Sequence, residues 1–567
     1  MDFAKRLVFS FILWYNKQDN KKRRNSEHMI TVNNLSFHFG GQLLFKNVDL
    51  KFTPGNCYGI IGANGAGKST FLRILCGELE PSTGEVVIPD TVRMSVLRQD
   101  HFAFDQYTVL DTVMMGNRKL WDVMKEKDAI YEKEDFTEAD GLRASELEAE
   151  FAEMNGWEAE SEVSRLIQGL GMPVESLEAL MSTLKESEKV KVMLAQALFG
   201  NPDIIMLDEP TNGLDMDAVL WLEDFLSDYF GTVLVVSHDR HFLNDVCTNI
   251  VDIDYNGIKM YVGNYEFWYE SSQLIQRMMK QQNKKAEEKI KELQTFISRF
   301  SANKSKSRQA TSRRKLLDKL TVEEMPASSR RYPFIGFDMD RVAGKDILFV
   351  RDLTKTVGGV TLFKNLSFTV NKDDKIALVG NEQSITALFR ILMEEDTADS
   401  GEFKWGVSIT KSYFPHDNTP YFKDCDLSII EWLAQYSKET TETYLRGFLG
   451  RMLFSGDSVF KPVKVLSGGE KVRCMFSRMM LFGSNFLLLD QPTDHLDLES
   501  ISAVNNGLAA FKGNVIFTSH DYELVNTVAN RIIEITPDGM RDYSGTFEDF
   551  LARDRAAEEG GRAKGDF

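Results

Sequence analysis

The stretch Gly62-Ala63-Asn64-Gly65-Ala66-Gly67-Lys68-Ser69-Thr70 decides the fold, because its glycine and lysine spacing is that of a phosphate-binding loop. An apolar run at 58–61 predicts a strand before this loop, and residues 69–75 predict a helix after it. The glycines let backbone N–H groups approach a phosphate, and the helix N-terminus adds its positive dipole end. We expect Lys68 to contact the β- and γ-phosphates of a nucleotide and Ser69 to bind Mg²⁺.

Polar side chains that follow later apolar runs complete a predicted hydrolytic site. Asp208 and Glu209 follow the run at 204–207. The aspartate suits the Mg²⁺ shell, and the glutamate is placed to polarise an attacking water. His238 follows the run at 233–236 and offers an imidazole to the γ-phosphate, and Gln99 is a further polar candidate near the metal.

A second copy of the pattern occupies the C-terminal half of the chain. Phe39-Gly40-Gly41 corresponds to Val357-Gly358-Gly359, and Asp208 corresponds to Asp490. At the second loop position no lysine is present. Gap-free alignment places Ile385 at the third loop glycine and Thr386 at the lysine, and sliding the alignment by one residue still supplies no lysine. The second loop reads Gly380-Asn381-Glu382-Gln383-Ser384-Ile385-Thr386-Ala387.

These motifs resemble those of the ATP-binding cassette superfamily. Two fused cassettes, an insertion in the first cassette and a charged linker resemble family F, the soluble translation-factor branch, and the short insertion is similar to that of its short-arm subgroup. The resemblance covers nearly all of residues 29–550. It implies an α/β fold with two tandem nucleotide-binding domains, each with a RecA-like P-loop core, an antiparallel β subdomain and a helical subdomain. It also implies binding at the ribosomal exit site, with the linker directed toward the peptidyl-site tRNA.

The expected domain boundaries follow from the repeat and from changes in composition. They are an N-terminal extension at 1–28, expected to be disordered; a first cassette at 29–270, with an acidic arm at about 118–162; a basic two-helix linker at 271–344; a degenerate second cassette at 345–551; and a charged tail at 552–567.

The resemblance further implies that the two cassettes pair head to tail within one chain. Each ATP would then lie between the phosphate loop of one cassette and the Leu-Ser-Gly-Gly-Glu signature of the other. The second cassette has this signature at 466–470, whereas the first reads Leu-Lys-Glu-Ser-Glu at 184–188. The first composite site is therefore expected to comprise Phe39 for adenine stacking; Gly62, Ala63, Asn64, Gly65, Ala66, Gly67, Lys68, Ser69 and Thr70; Gln99, Asp208, Glu209 and His238; and Ser467, Gly468 and Gly469.

The second composite site departs from the motif at most of its elements. Val357 replaces the aromatic residue, His416 replaces the glutamine, and Gln491 replaces the catalytic glutamate. Because all the losses fall on one site, we expect a single catalytic site that uses ATP and Mg²⁺. Asp490 and His520 remain, so the sequence leaves open whether this site binds nucleotide.

Charge is distributed unevenly over the chain, whose formal net charge is −18. Residues 122–162 hold 15 acidic and four basic residues, which argues against RNA binding and leaves a basic ribosomal protein or a solvated helical pair as alternatives. The linker is basic and predicts contacts with the phosphates of ribosomal RNA or tRNA, the alternative being a solvated spacer. The predicted contacts are Arg299, Lys304, Lys306, Arg308, Arg313, Arg314 and Lys315.

The composition favours a cytoplasmic protein of two domains. The 567 residues accommodate two sizeable cores, and the five cysteines form no metal-spaced pair, as expected in a reducing compartment. The apolar run at 7–15 is too short to span a bilayer, so no membrane partner is expected.

Two other classes of function stay open at this stage. A transporter motor would need a separate membrane partner, which the fused basic linker disfavours. A nucleotide-gated binding protein with vestigial hydrolysis is disfavoured by the presence of both Lys68 and Glu209.

Overall fold

The computed structural model describes residues 29–40, 42–97, 102–133, 135–300, 330–494 and 496–553. The chain forms two compact units, the first built mainly from residues before 330 and the second mainly from residues after it. Both units combine α-helices with one six-stranded, mainly parallel sheet and one three-stranded antiparallel sheet. The expected α/β class is therefore confirmed.

The first unit contains two sheets. Its strands are β1 (Ile30–Phe39), β2 (Gln42–Phe52), β3 (Asn56–Ile61), β4 (Thr83–Val87), β5 (Met94–Val96), β6 (Ile204–Asp208), β7 (Thr232–Val236), β8 (Asn249–Asp254) and β9 (Gly257–Val262). An antiparallel sheet has the order β2-β1-β4, and the other six strands have the order β5-β6-β7-β3-β8-β9. Strands β3, β6 and β7 are almost fully buried and apolar, as expected for parallel strands that are covered on both faces.

The helices of the first unit include a long pair in the acidic insertion. They are α1 (Lys68–Leu75), α2 (Val109–Met114), α3 (Arg118–Tyr131), α4 (Glu138–Glu153), α5 (Ala159–Gly169), α6 (Glu186–Leu198), α7 (Met216–Ser227), α8 (Arg240–Val246) and α9 (Tyr265–Phe300). Helices α3 and α4 pack on each other through Arg143, whose Nε lies 2.8 Å from Glu126 Oε1. Helix α9 enters the predicted linker and would be about 54 Å long at 1.5 Å per residue.

The second unit repeats this strand order. Its strands are β10 (Leu348–Val357), β11 (Val360–Val370), β12 (Lys375–Gly380), β13 (Ser400–Trp405), β14 (Lys411–Phe414), β15 (Phe486–Asp490), β16 (Asn514–Thr518), β17 (Arg531–Thr536) and β18 (Gly539–Ser544). The antiparallel sheet has the order β11-β10-β13, and the larger sheet has the order β14-β15-β16-β12-β17-β18. Each strand of the second unit therefore has its counterpart in the first, and the repeat that the sequence indicated is a structural repeat.

Several helices of the second unit are as long as, or longer than, their counterparts in the first. The helices of this unit are α10 (Glu382–Leu392), α11 (Ile429–Ala434), α12 (Glu442–Arg451), α13 (Gly468–Phe482), α14 (Leu498–Ala510) and α15 (Tyr522–Val528). Residues 330–340, which the sequence analysis assigned to the linker, pack on three of them. The Phe334 N–H donates to the Arg451 carbonyl, and Phe337 is buried with its ring 6.4 Å from that of Phe476 and 5.8 Å from that of Phe511. The C-terminal end of the linker is therefore anchored beside α13, the helix that carries the signature.

We expect Phe337→Ala to destabilise the second unit by about 3–5 kcal/mol, the usual cost of emptying the site of a buried phenylalanine. Differential scanning calorimetry of the full chain measures this as a lowered transition temperature for that unit. Phe334→Ala is the matched control, because the Phe334 side chain is largely exposed. Equal losses in the two variants would contradict the assignment of Phe337 to the core.

Candidate nucleotide-binding site

The register of the parallel strands brings the predicted site residues of the first unit to one edge of its sheet. Strand β7 pairs with β3 on one side and with β6 on the other, and Val236 lies opposite both Ile60 and Asp208. The phosphate loop follows β3, the acidic pair lies at the end of β6, and His238 comes two residues after β7. Crevices beyond the carboxyl ends of such strands are where ligands bind in open α/β sheets.

The loop 62–67 holds its backbone open toward this edge. Gly62 packs so closely that a Cβ atom there would lie 2.7 Å from the Ile253 carbonyl oxygen. Gly67 has a φ of 102° and, lacking a side chain, gives the N-terminus of α1 no side-chain cap. Lys68 is buried, with 8% of its surface exposed, and its Nζ donates a 2.8 Å hydrogen bond to the Gly62 carbonyl. The ammonium group therefore lies over its own loop, where a phosphate oxygen can replace the carbonyl as its acceptor.

The turn that holds Glu209 has a conformation that non-glycine residues rarely adopt. Its φ is 52°, and its N–H donates to the Val236 carbonyl at 2.8 Å. This bond continues the ladder between β6 and β7 by one residue, so the backbone of Glu209 is held at the end of the sheet. Backbone strain of about 1–3 kcal/mol at such a residue persists only where the surrounding structure imposes it.

The remaining predicted residues are placed as follows. Phe39 is the last residue of β1, and 70% of its surface is exposed, so the ring is available for stacking. Gln99 lies outside the described residues. Within the second unit, Ser467 is the N-cap of α13, and the two glycines of the signature open this helix.

The signature of the second unit has the geometry of a capping box. The Ser467 hydroxyl accepts from the Glu470 N–H at 3.4 Å, and the Ser467 N–H donates to Glu470 Oε2 at 2.9 Å. The hydroxyl proton is still available for donation, because a serine hydroxyl can accept and donate together. In the first unit the corresponding helix α6 starts at Glu186 and has Lys185 as its N-cap, so charged side chains stand where the intact signature has serine and glycine.

The structure decides the alignment of the second phosphate loop. A Cβ on Gly380 would meet the Ile535 carbonyl, as one on Gly62 would meet that of Ile253. The Arg73 and Arg390 carbonyls also accept equivalent bonds, from Glu78 and Glu395, at 2.9 and 2.8 Å. The stretch from Gly380 to Arg390 is one residue shorter than the stretch from Gly62 to Arg73. The gap-free alignment was therefore wrong after this deletion: the counterparts of Lys68 and Ser69 are Ile385 and Thr386.

The counterparts of the Mg²⁺ ligands contact each other directly in the second unit. The Thr386 hydroxyl donates a 2.7 Å hydrogen bond to Asp490 Oδ2, and Asp490 Oδ1 has no hydrogen-bond partner among the described residues. Burial of this carboxyl group raises its pKa to about 6, although the hydrogen bond from Thr386 acts in the opposite direction.

Sequence reasoning missed the hydrogen bonds that hold the second site together. Gln491 has a φ of 50°, close to that of Glu209, and its Oε1 accepts from the His520 N–H at 3.0 Å. His416 Nε2 lies 3.2 Å from Glu382 Oε1. The sequence signal for a helix start here was Asn381 followed by Glu382, a pair typical of the first turn of a helix. In the sequence analysis these residues were compared with a phosphate loop and were not interpreted as a helix start.

We expect Asp490→Asn to stabilise the second unit above pH 6. A carboxyl group whose folded pKa is raised contributes most stability at low pH and loses it as the pH rises through about 6, where a buried charge must form. A shift of about two pKa units corresponds to at most about 3 kcal/mol.

Thermal unfolding of both proteins at pH 5 and pH 8 measures this effect. The variant should gain over the parent at both values and gain more at pH 8, because at pH 5 the unfolded parent is ionised at this residue while the folded carboxyl group is still mostly protonated. A gain that is the same at both values would mean that the charge is not the cause.

The predicted RNA contacts lie almost entirely outside the described residues. This holds for Lys304, Lys306, Arg308, Arg313, Arg314 and Lys315, and of Arg299 only the backbone position in α9 is described. Among the helices of the described residues, none is long and apolar enough to cross a membrane.

Comparison with known proteins now identifies the family. A family model described as ABC transporter matches residues 45–212 and 363–494, and a second model with the same description matches residues 251–337. A relative in Bacillus subtilis, the uncharacterized ABC transporter ATP-binding protein YkpA, is 58% identical over 92% of this chain and 97% of its own length. The ABC transporter F family member 2 of Arabidopsis thaliana is 29% identical over 95% of this chain and 81% of its own length.

The chain belongs to family F of the ATP-binding cassette superfamily. Its two domain matches fall one in each unit, so the tandem-cassette fold is confirmed. The fold is also that of an archaeal ribosome recycling factor, aABCE1, solved in complex with the ribosomal stalk protein aP1. That structure superimposes with a TM-score of 0.60 at 17% identity and covers 92% of both chains. As a member of this family, the protein binds ATP.

Proposed function

We propose that this family F protein hydrolyses ATP at one composite site and uses the closed, ATP-bound state to act on the translating ribosome. The observation that carries the proposal is the difference between the two cassettes. The first has an open loop with Lys68 over it and an acidic turn at Glu209, whereas the second has Ile385 and Gln491 at these positions. Catalysis of phosphoryl transfer depends on positioning and charge stabilisation, and the second site has lost the groups for both.

In this proposal each residue of the first site has one role. Lys68 neutralises charge on the β- and γ-phosphates, Ser69 and Asp208 hold Mg²⁺ with Gln99, and Glu209 with His238 orients the attacking water. Ser467, Gly468 and Gly469 would face the γ-phosphate from the second cassette, as the family resemblance implies. Mg²⁺ would supply charge neutralisation between the phosphate oxygens. Hydroxyl and carboxylate oxygens, which Ser69 and Asp208 offer, are the donors that this cation prefers.

We expect Glu209→Gln to keep ATP binding and to lower turnover by about 10²–10⁴-fold, the usual contribution of a positioned general base. The matched change is Gln491→Glu at the equivalent turn of the second cassette. It should not raise turnover, because Ile385 provides no cation there. Steady-state phosphate release measures both. Near-normal turnover in the first variant, or a large gain in the second, would contradict the asymmetry.

Contact with the ribosome is proposed for the basic linker. Seven cations lie between 299 and 315, and helix α9 leads into this region from the first cassette. Arginine and lysine side chains that neutralise RNA phosphates give salt-dependent affinity without sequence preference. Binding at the exit site and contact with the peptidyl-site tRNA belong to the same proposal and rest on the family F resemblance.

The acidic helical pair α3 and α4 is proposed to contact a basic ribosomal protein rather than RNA. Its fold is fixed by internal contacts: Lys127 Nζ lies 4.1 Å from the centre of the Phe151 ring and 5.0 Å from that of Trp157. Phe136, Leu142 and Trp157 are each more than half exposed among acidic neighbours. Exposed aromatic and apolar side chains of this kind are enriched at protein interfaces.

Replacing Arg308, Arg313, Arg314 and Lys315 with glutamate should weaken ribosome binding and leave nucleotide affinity unchanged. Each lost phosphate contact should reduce the slope of log affinity against log salt by about 0.7–0.9. Co-sedimentation with ribosomes over a salt series, with a non-hydrolysable ATP analogue, provides the measurement.

A variant with the same change of net charge is the control. It replaces four exposed lysines of the second unit with glutamate: Lys345, Lys372, Lys404 and Lys423. If both variants bind ribosomes as the parent does at physiological salt, the linker is only a spacer.

A further inference from the structure

We propose that the second cassette binds no nucleotide, because the chain itself closes the position that corresponds to the phosphate site of the first. This inference deepens the proposed one-site function. The proposed function requires only that the second cassette does not hydrolyse ATP. This inference adds that the second cassette does not bind ATP, so each chain would hold one ATP.

The loop that could wrap a phosphate is missing from the second cassette. In the first, residues 62–67 separate the end of β3 from the start of α1. In the second, only Asn381 separates the end of β12 at Gly380 from the start of α10 at Glu382. With one residue deleted, the remaining residues of the former loop are wound into the first turn of the helix. A phosphate therefore has no concave backbone to enter.

The backbone donors of this first turn are already used. The Asn381 side chain accepts from the Gln383 N–H at 3.0 Å, and the Asn381 carbonyl accepts from Ser384 and Ile385 at 3.0 and 3.1 Å. The helix N-terminus of the first cassette has no such side-chain cap. A capped helix offers a phosphate few donors, and displacing an N-cap side chain costs about 1 kcal/mol.

The charges around the second position have the wrong sign for a triphosphate. Glu382 is the first residue of α10, and its carboxylate lies beside His416. Asp490 is fully buried, and this burial is the main cause of its raised pKa; Glu382 and Asp494 raise the pKa further, whereas Thr386 and His416 lower it. Ile385, which is also buried, takes the place of the lysine. In the part of the chain that the structure describes, a polyanion at this position would meet the carboxylates of Glu382 and Asp490 with only His416 beside them and no lysine at the position of Lys68.

Side-chain hydrogen bonds hold the segments that follow β15 and β16 in this cassette. Gln491, 4% exposed, accepts from the His520 N–H, and Thr493 Oγ1 lies 2.9 Å from Ser519 Oγ. Asp521 caps α15 through the Leu524 N–H at 2.8 Å. Side-chain bonds thus fix the segment 519–521, where the first cassette has the segment that contains His238.

The number of nucleotides bound per chain tests the inference. Equilibrium dialysis of the full-length protein against a labelled non-hydrolysable ATP analogue with Mg²⁺ should give one nucleotide per chain. Lys68→Ala should give none over the same concentration range, and Thr386→Ala, the change at the second cassette, should give one with unchanged affinity. Thermal unfolding confirms that both variants are folded. Two nucleotides bound to the parent, or one retained in Lys68→Ala, would overturn the proposal.

Hydrogen exchange locates the bound nucleotide independently. Amides of residues 62–71 should gain protection when the analogue is added. Amides of residues 383–385 should be protected without it and unchanged by it, and added protection there would overturn the proposal. Neither measurement involves ribosomes or hydrolysis, so a failure of the ribosomal function leaves both results interpretable. Two nucleotides per chain would contradict the empty second cassette without contradicting the proposed ribosome binding.

Discussion

The first N–H groups of an α-helix have no partner within the helix, and the way they are satisfied separates the two halves of this protein. In the first cassette a glycine-rich loop leads into α1 without a side-chain cap, which suits an anionic ligand. In the second cassette Asn381 caps α10, and the adjacent loop residues have become helical. Loss of the lysine therefore goes together with loss of the loop, because a phosphate-binding cation has no ligand to contact at a helix that is capped by its own chain.

The second cassette keeps the backbone of a nucleotide site although it has lost the chemistry. Gln491 has the same left-handed conformation as Glu209, and each residue donates its N–H to the neighbouring strand. Parallel strand pairing imposes this turn regardless of the side chain that follows it. The second cassette thus retains the fold and an intact signature at 466–470, which the proposed first site requires.

The acidic and basic regions of the chain give a physical reason for a protein of net charge −18 to approach RNA. Residues 122–162, which include α4 and most of α3, hold 15 acidic and four basic residues, whereas seven cations lie between 299 and 315, at and beyond the end of the long helix α9. Screening limits each region to its neighbours within about 8–10 Å at physiological salt. A basic linker can then bind phosphates while an acidic arm faces a partner of opposite charge.

The tandem cassettes, the α/β class, the complete first loop, the missing lysine of the second loop and the substitutions at His416 and Gln491 all follow from the sequence alone. They do so because these features are local: a loop motif, an apolar run or a residue at a fixed distance after a strand. Only the tertiary structure decided the alignment of the second loop, the contact between Thr386 and Asp490, and the capping of α10 by Asn381. Spacing cannot show that a loop has become helical, because the same residues fit either state until strands β12 and β15 place them against buried neighbours.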